Sequence, residues 1–176
     1  MAKGLAELPL IADPECVTIW SGDWCSGMTE AELKVILSDT SKRVDGDITW
    51  SEDADHSPSR EFRANVILEE DNALFVKGSF NALAQTLSFA FIYRGIGRIY
   101  ALDLGKDHHN PTCQYTGESH KHRWTEKFRD KEAYVPQDIR SSVLDPVAVW
   151  REFCSEAKLV HNGTMHAPPP LQMRMI

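Results

Sequence analysis

Long apolar runs are missing from this sequence. The longest, around Phe89 to Tyr93, falls far short of the roughly 20 residues that cross a bilayer. Lys3 precedes an apolar stretch, 5–12, that Glu7, Pro9 and Asp13 interrupt or bound. It does not read as a signal peptide, so a cytoplasmic protein without membrane contact is expected. No C-x-x-C pair occurs among the four scattered cysteines Cys16, Cys25, Cys113 and Cys154. Buried, reduced thiols are therefore expected. No internal repeat is evident, and no excess of basic charge marks a nucleic-acid binder. The net charge is −7, and it sits wholly in residues 1–60, where twelve Asp and Glu face five Lys and Arg. Such an acidic surface repels phosphate and suits a basic protein partner.

What is present fits one ordinary domain. The chain has 176 residues, 42% of them hydrophobic and 26% charged, enough for a real core. Residues 1–160 are expected to form it, with 161–176 as a flexible tail containing Pro168 to Pro170. Cys16 to Trp20 favours a short strand, and Trp20 and Trp24 suit the edge of a core. Thr29-Glu30-Ala31-Glu32 is a capping box, which predicts a helix from there to about Ser41.

From Glu61 the pattern changes to a period of two. Phe62, Ala64, Val66 and Leu68 share one face, and Leu74 to Lys77 reads as the return strand. Thr86 to Tyr93 and Arg98 to Leu104 follow, joined by the tight Gly95-Ile96-Gly97 turn. Thr125 to Tyr134 reads as a short amphipathic helix or an extended arm. Asp145-Pro146 is an N-cap with proline at the first helical position, ahead of an apolar stripe running to about Lys158. The expected class is α+β: an antiparallel meander of about four strands with two or more helices packed on it.

The chemistry concentrates in Gly105 to Glu126, GKDHHNPTCQYTGESHKHRWTE, which holds four of the seven histidines. The stretch begins where a strand ends, a place where a rigid sheet presents reactive groups. On an extended chain residues 120, 122, 124 and 126 project from one face, which gathers His120, His122 and Glu126. This H-x-H-x-x-x-E resembles the first metal motif of cupins, although the motif's glycine is displaced and no second motif follows. The likeness covers seven residues and implies a divalent metal on His120, His122 and Glu126. A wider likeness, over about 40 residues, joins His108-His109-Asn110-Pro111 to His120-Lys121-His122. It resembles small bacterial and phage-borne proteins with an H-x-N-P and an H-x-H stretch, toxins of toxin–antitoxin pairs among them. That resemblance implies a role in conflict between phage or mobile element and host.

Two catalytic schemes suit these residue types. In a metal-free phosphodiesterase or nuclease, His109, His120 and His122 trade protons while Lys121, Arg123 and Lys106 neutralise phosphate. In a metal-dependent hydrolase, His109, His120 and His122, with Asp107 or Glu126, hold Zn, Mn or Mg and leave a water ligand. A third scheme is an anti-defence inhibitor, anti-CRISPR-like and without enzymatic activity. There the acidic stretch of Asp45, Asp47, Glu52, Asp53 and Asp55 occupies a basic host complex that binds nucleic acid. A structural metal site is a fourth. The plainest alternative has each imidazole bonded to a backbone carbonyl, holding a long turn.

Overall fold

A computed structural model describes residues 28–69 and 73–170. The expected strand at 16–20 and the tryptophans at 20 and 24 lie outside them. Thr29 caps α1 (Glu30–Ser38) with the capping box intact: its hydroxyl accepts from Glu32 N–H, and the Glu32 carboxylate accepts from Thr29 N–H at 2.7 Å. The helix stops three residues earlier than expected. Beyond it Lys42 is buried, and its ammonium donates to the carbonyls of Ile36, Leu37 and Asp39. A side-chain cation thus satisfies the orphan carbonyls of the helix end.

After β1 (Arg43–Asp45), one antiparallel sheet runs in chain order through seven strands. They are β2 (Ser51–Glu52), β3 (Arg60–Asn65), β4 (Leu74–Asn81), β5 (Thr86–Tyr93), β6 (Gly97–Leu104), β7 (Ser119–Thr125) and β8 (Arg129–Tyr134). The four-strand α+β meander is therefore corrected to a mostly β fold. It has a seven-stranded sheet, a small parallel pair and, among the described residues, two short helices. The missed strands are informative. β7 and β8 read SHKHRWT and RDKEAY, with too few apolar side chains to show a period of two. The segment 125–134, expected as a helix or arm, is instead the β7–β8 turn and the edge strand β8.

One face of the sheet carries the core. Pairing places Phe62, Gly78, Phe89, Leu102 and Lys121 in a row across β3 to β7. Gly78 is required there, because a Cβ would stand 2.0 Å from the Phe62 ring. The helix α2 (Pro146–Glu156) covers this face. Its Asp145 cap and Pro146 start are as the sequence predicts, and its buried side includes Val149, Trp150 and Phe153. Trp150 meets Phe62 and Phe89 edge-on at 5.7 and 5.2 Å. Truncating such a residue costs about 3–5 kcal/mol.

The chain stays attached beyond 160. Strand β9 (Val160–Asn162) pairs in parallel with β1, Ile48 bridges Met165, and Trp50 donates its indole N–H to the His166 carbonyl at 3.0 Å. The residues 161–166, expected in a flexible tail, are thus packed. Cys154 is a free, buried thiol, as expected. Cys113 is instead disulfide-bonded, which corrects the expectation of a reduced thiol there. No helix among the described residues is long and apolar enough to cross a membrane.

The far face explains why β6 is buried on both sides from Ile99 onward. Residues 105–118 fold back over it as an arm. Gly105 N–H bonds the Glu118 carbonyl, Thr116 N–H bonds the His108 carbonyl, and His109 bridges Tyr115. The arm then reaches the outer edge of β8. There Asn110 takes the place of a further strand: its amide oxygen accepts from Ala133 N–H at 2.7 Å, and its amide nitrogen donates to the Ala133 carbonyl at 2.9 Å.

A candidate metal centre

Alternation along β7 sends His120 and His122 to the face covered by the arm and Lys121 and Arg123 to the other. Asp103 lies beside His120 in β6 and shares its face. The arm brings His108 down onto both rings. Its centroid lies 5.0 Å from that of His120 and 4.7 Å from that of His122, and the latter two are 4.8 Å apart. One ring nitrogen from each of the three falls within 4.8 Å of the others.

The outer nitrogens fix the tautomers. His120 Nδ1 meets the Gly117 carbonyl at 3.0 Å, His122 Nδ1 the Asp130 carbonyl at 2.9 Å, and His108 Nε2 the Lys131 carbonyl at 3.0 Å. A carbonyl oxygen only accepts, so each of these nitrogens carries the hydrogen. In neutral rings the remaining nitrogens are then bare. His120 Nε2 and His122 Nε2 face each other at 3.1 Å, and His122 Nε2 also stands 3.1 Å from Asp103 Oδ2. His120 Nε2 is 3.8 Å from the same oxygen. Lone pairs and a carboxylate oxygen at these distances repel unless a cation lies between them or one ring takes up a second proton. Tetrahedral zinc, with bonds of about 2.0–2.1 Å, spaces its ligand atoms about 3.3 Å apart. A carbonyl holding the far N–H of each ring is also the usual support of a metal-binding histidine.

The electrostatics favour the ligand forms. Burial pushes His108 and His120 below the ordinary histidine value, which keeps their lone pairs free near neutrality. Burial works against the charge of Asp103. In the metal-free chain a charged His122 ring donating Nε2–H, a hydrogen bond from Ser88 and the Arg98 guanidinium outweigh it and hold the carboxyl well below the usual range. Arg98 reaches Asp103 at 3.3 Å and Asp130 at 2.8 Å. Lys106 donates to Ser88 at 3.2 Å behind them. A set of three imidazoles, alone or with one carboxylate, suits zinc and neighbouring divalent metals better than magnesium.

Several expected members are elsewhere. His109 is exposed and packs on Tyr115 at 5.1 Å. Glu126 falls past a register shift within β7, between Arg123 and Thr125, and its carboxylate accepts from Glu30 N–H at the start of α1. Asp107 is exposed and accepts from Tyr115. Lys121 is fully buried on the α2 side between Asp138 and Glu156, and Arg123 pairs with Glu132. Much of the acidic stretch is likewise engaged within the chain. Asp45 accepts from Asn162, Asp47 from Thr164 N–H, Asp53 from Asp55 and His56 N–H, and Glu52 pairs with Arg60.

Two members were missed. Asp103 stands in the apolar run Ala101 to Leu104, where a buried acid needs a partner, and that was its signal. His108 differs from His109 only in which side of the arm it occupies, and no local pattern distinguishes them. Two cavities, of about 530 and 470 Å³, lie beside α2 and at the 83–85 turn, and none of the three histidines lines either.

Residues 28–159 match the model of a family of unknown function, DUF6978, and the chain belongs to that family. No curated protein and no solved structure gives a significant match.

Proposed function

We propose that this chain is a metal-binding protein whose His108, His120, His122 and Asp103 hold one divalent transition metal, zinc fitting best. The observation that carries the reading is the orientation of the imidazoles. Each holds a backbone carbonyl with one ring nitrogen, the inner nitrogens of His120 and His122 meet at 3.1 Å, and one ring nitrogen of each of the three lies within 4.8 Å of the others. The centre is read as closed rather than hydrolytic. Burial of His120 and His122 supports this, and none of the three histidines lines either cavity. Its role is to fasten the arm to the paired strands β6 and β7. Phosphodiester cleavage by these residues gains no support from Lys121 or Arg123, whose charges are matched by carboxylates on the other face.

Metal analysis of the purified full chain tests the reading. One zinc per chain is expected, and cobalt in its place should give the visible absorption of a tetrahedral site. Saturating metal at about 100 times its Kd should add about 2.7 kcal/mol of stability. Replacing His120 with Ala should abolish both signals. A chain that neither retains metal nor gains stability from added zinc or cobalt overturns the proposal.

A further inference from the structure

The arm makes two kinds of contact, and their combination has a consequence for the edge of the sheet. His108 and Asn110 sit two residues apart on it. His108 is a member of the metal centre and bonds the Lys131 carbonyl, while Asn110 engages both backbone groups of Ala133. So three outward-facing backbone groups of the terminal strand β8 are covered by side chains of the arm. An edge strand with such groups open is a template for another strand.

We propose that the outer edge of β8 is a strand-pairing surface gated by the metal centre, and that its occupant is β8 of a second copy of this chain. The inference rests on the metal reading above. Without the ion no shared ligand ties His108 to His120 and His122, and the arm loses the anchor that holds Asn110 in place. An antiparallel pairing centred on Ala133 of both copies would use the same three groups: Ala133 N–H, Ala133 C=O and Lys131 C=O. It would set Lys131 opposite Val135 of the partner subunit and Glu132 opposite Tyr134 of the partner subunit, with no like charges facing. Val135 is 55% exposed, so it is available to that contact.

The test compares zinc-loaded and chelator-treated full chain, both under reductant so that the Cys113 disulfide does not tether the arm. Amide exchange is read at low concentration and mass by light scattering at high concentration. On chelation the Ala133 amide should exchange about 100-fold faster, and a dimer should appear as concentration rises. The amides of Phe89 and Phe91 should stay protected. Asn110→Ala should dimerise even with one zinc bound. Binding of zinc with no change in Ala133 exchange or mass on its removal overturns this gate and leaves the metal centre standing. Faster exchange without a dimer overturns the assigned partner, and loss of protection at Phe89 shows general unfolding and overturns the gate. Failure to bind zinc at all is the separate failure of the centre itself.

Discussion

Successive residues of β7 meet burial in opposite ways. On the α2 side, Lys121 is fully buried with its charge answered by Asp138 and Glu156. Tyr100 and Tyr134 add their hydroxyls to the Glu156 carboxylate, so donors and acceptors match. On the arm side, His120 and His122 are as deeply buried, yet their inner nitrogens face each other and a carboxylate. One face is complete as it stands, whereas the other gathers acceptors that need a cation or an extra proton on one ring to reconcile them. Burial alone does not separate a structural polar cluster from a binding site; the balance of donors and acceptors does.

The largest expected effect breaks the complete face. Lys121→Met removes the cation and leaves two carboxylates and two hydroxyls around an apolar side chain. Taking one partner from a buried pair costs about 3–5 kcal/mol. The lower end is expected, because Asp138 and Glu156 keep some solvent contact. Urea denaturation measures it, and Glu156→Gln in the same chain should restore part of the loss. The loss should be the same with and without metal. A cost that vanished on adding zinc would mean the two faces are not independent.

A second pair of variants sharpens the other face. His108→Ala should weaken zinc binding by at least about tenfold to 100-fold, the scale at which even supporting residues act. His109→Ala, one residue on, should leave zinc affinity unchanged and stability within about 0.5 kcal/mol, since its ring is exposed on Tyr115. Metal titration followed by thermal unfolding reads both. Equal effects from the two would contradict the placement of the arm.

These neighbours also show how far the sequence could be read. The histidine-rich stretch, the capping box at Thr29, the Asp145-Pro146 helix start and the hairpin through Gly95 and Gly97 follow from local chemistry and were legible. The strands β3 to β6 were expected where they lie, β3 and β5 from their apolar alternation. β7 and β8 showed no apolar alternation, because β7 buries His120, Lys121 and His122 beside Trp124 and β8 buries only Ala133, and burial of His and Lys depends on partners far along the chain. Unbroken alternation would place Glu126 with His120 and His122. The register shift after Arg123 breaks it. Asp103 and His108 reach the centre through strand pairing and the folding of the arm, which no spacing rule encodes.

The smallest expected effect comes from contrasting the two buried lysines. Lys121 faces carboxylates, whereas Lys42 faces three neutral carbonyls at the end of α1. Burial is the main cause that lowers Lys42 from its ordinary 10.5 to about 8, and Asp39 only partly opposes it. Below pH 8 the folded and unfolded chains both hold this proton, so the cost of burying the charge is present in full. Between about pH 8 and 10.5 the folded chain releases the proton while the unfolded chain keeps it, so the contribution of Lys42 to stability rises with pH. Cys154 works the other way above its ordinary value of 9, since burial pushes its thiol up to about 12. The measurement must therefore be a difference between two proteins. Relative to Lys42→Met, the wild-type chain should gain stability from pH 8 to 10, by less than the ceiling of about 1.4 kcal/mol per pH unit for one proton. Urea midpoints of both chains at pH 7.5 and 9.5 provide the comparison. A gap that stayed constant would mean that the three carbonyls fully offset the burial of the Lys42 ammonium.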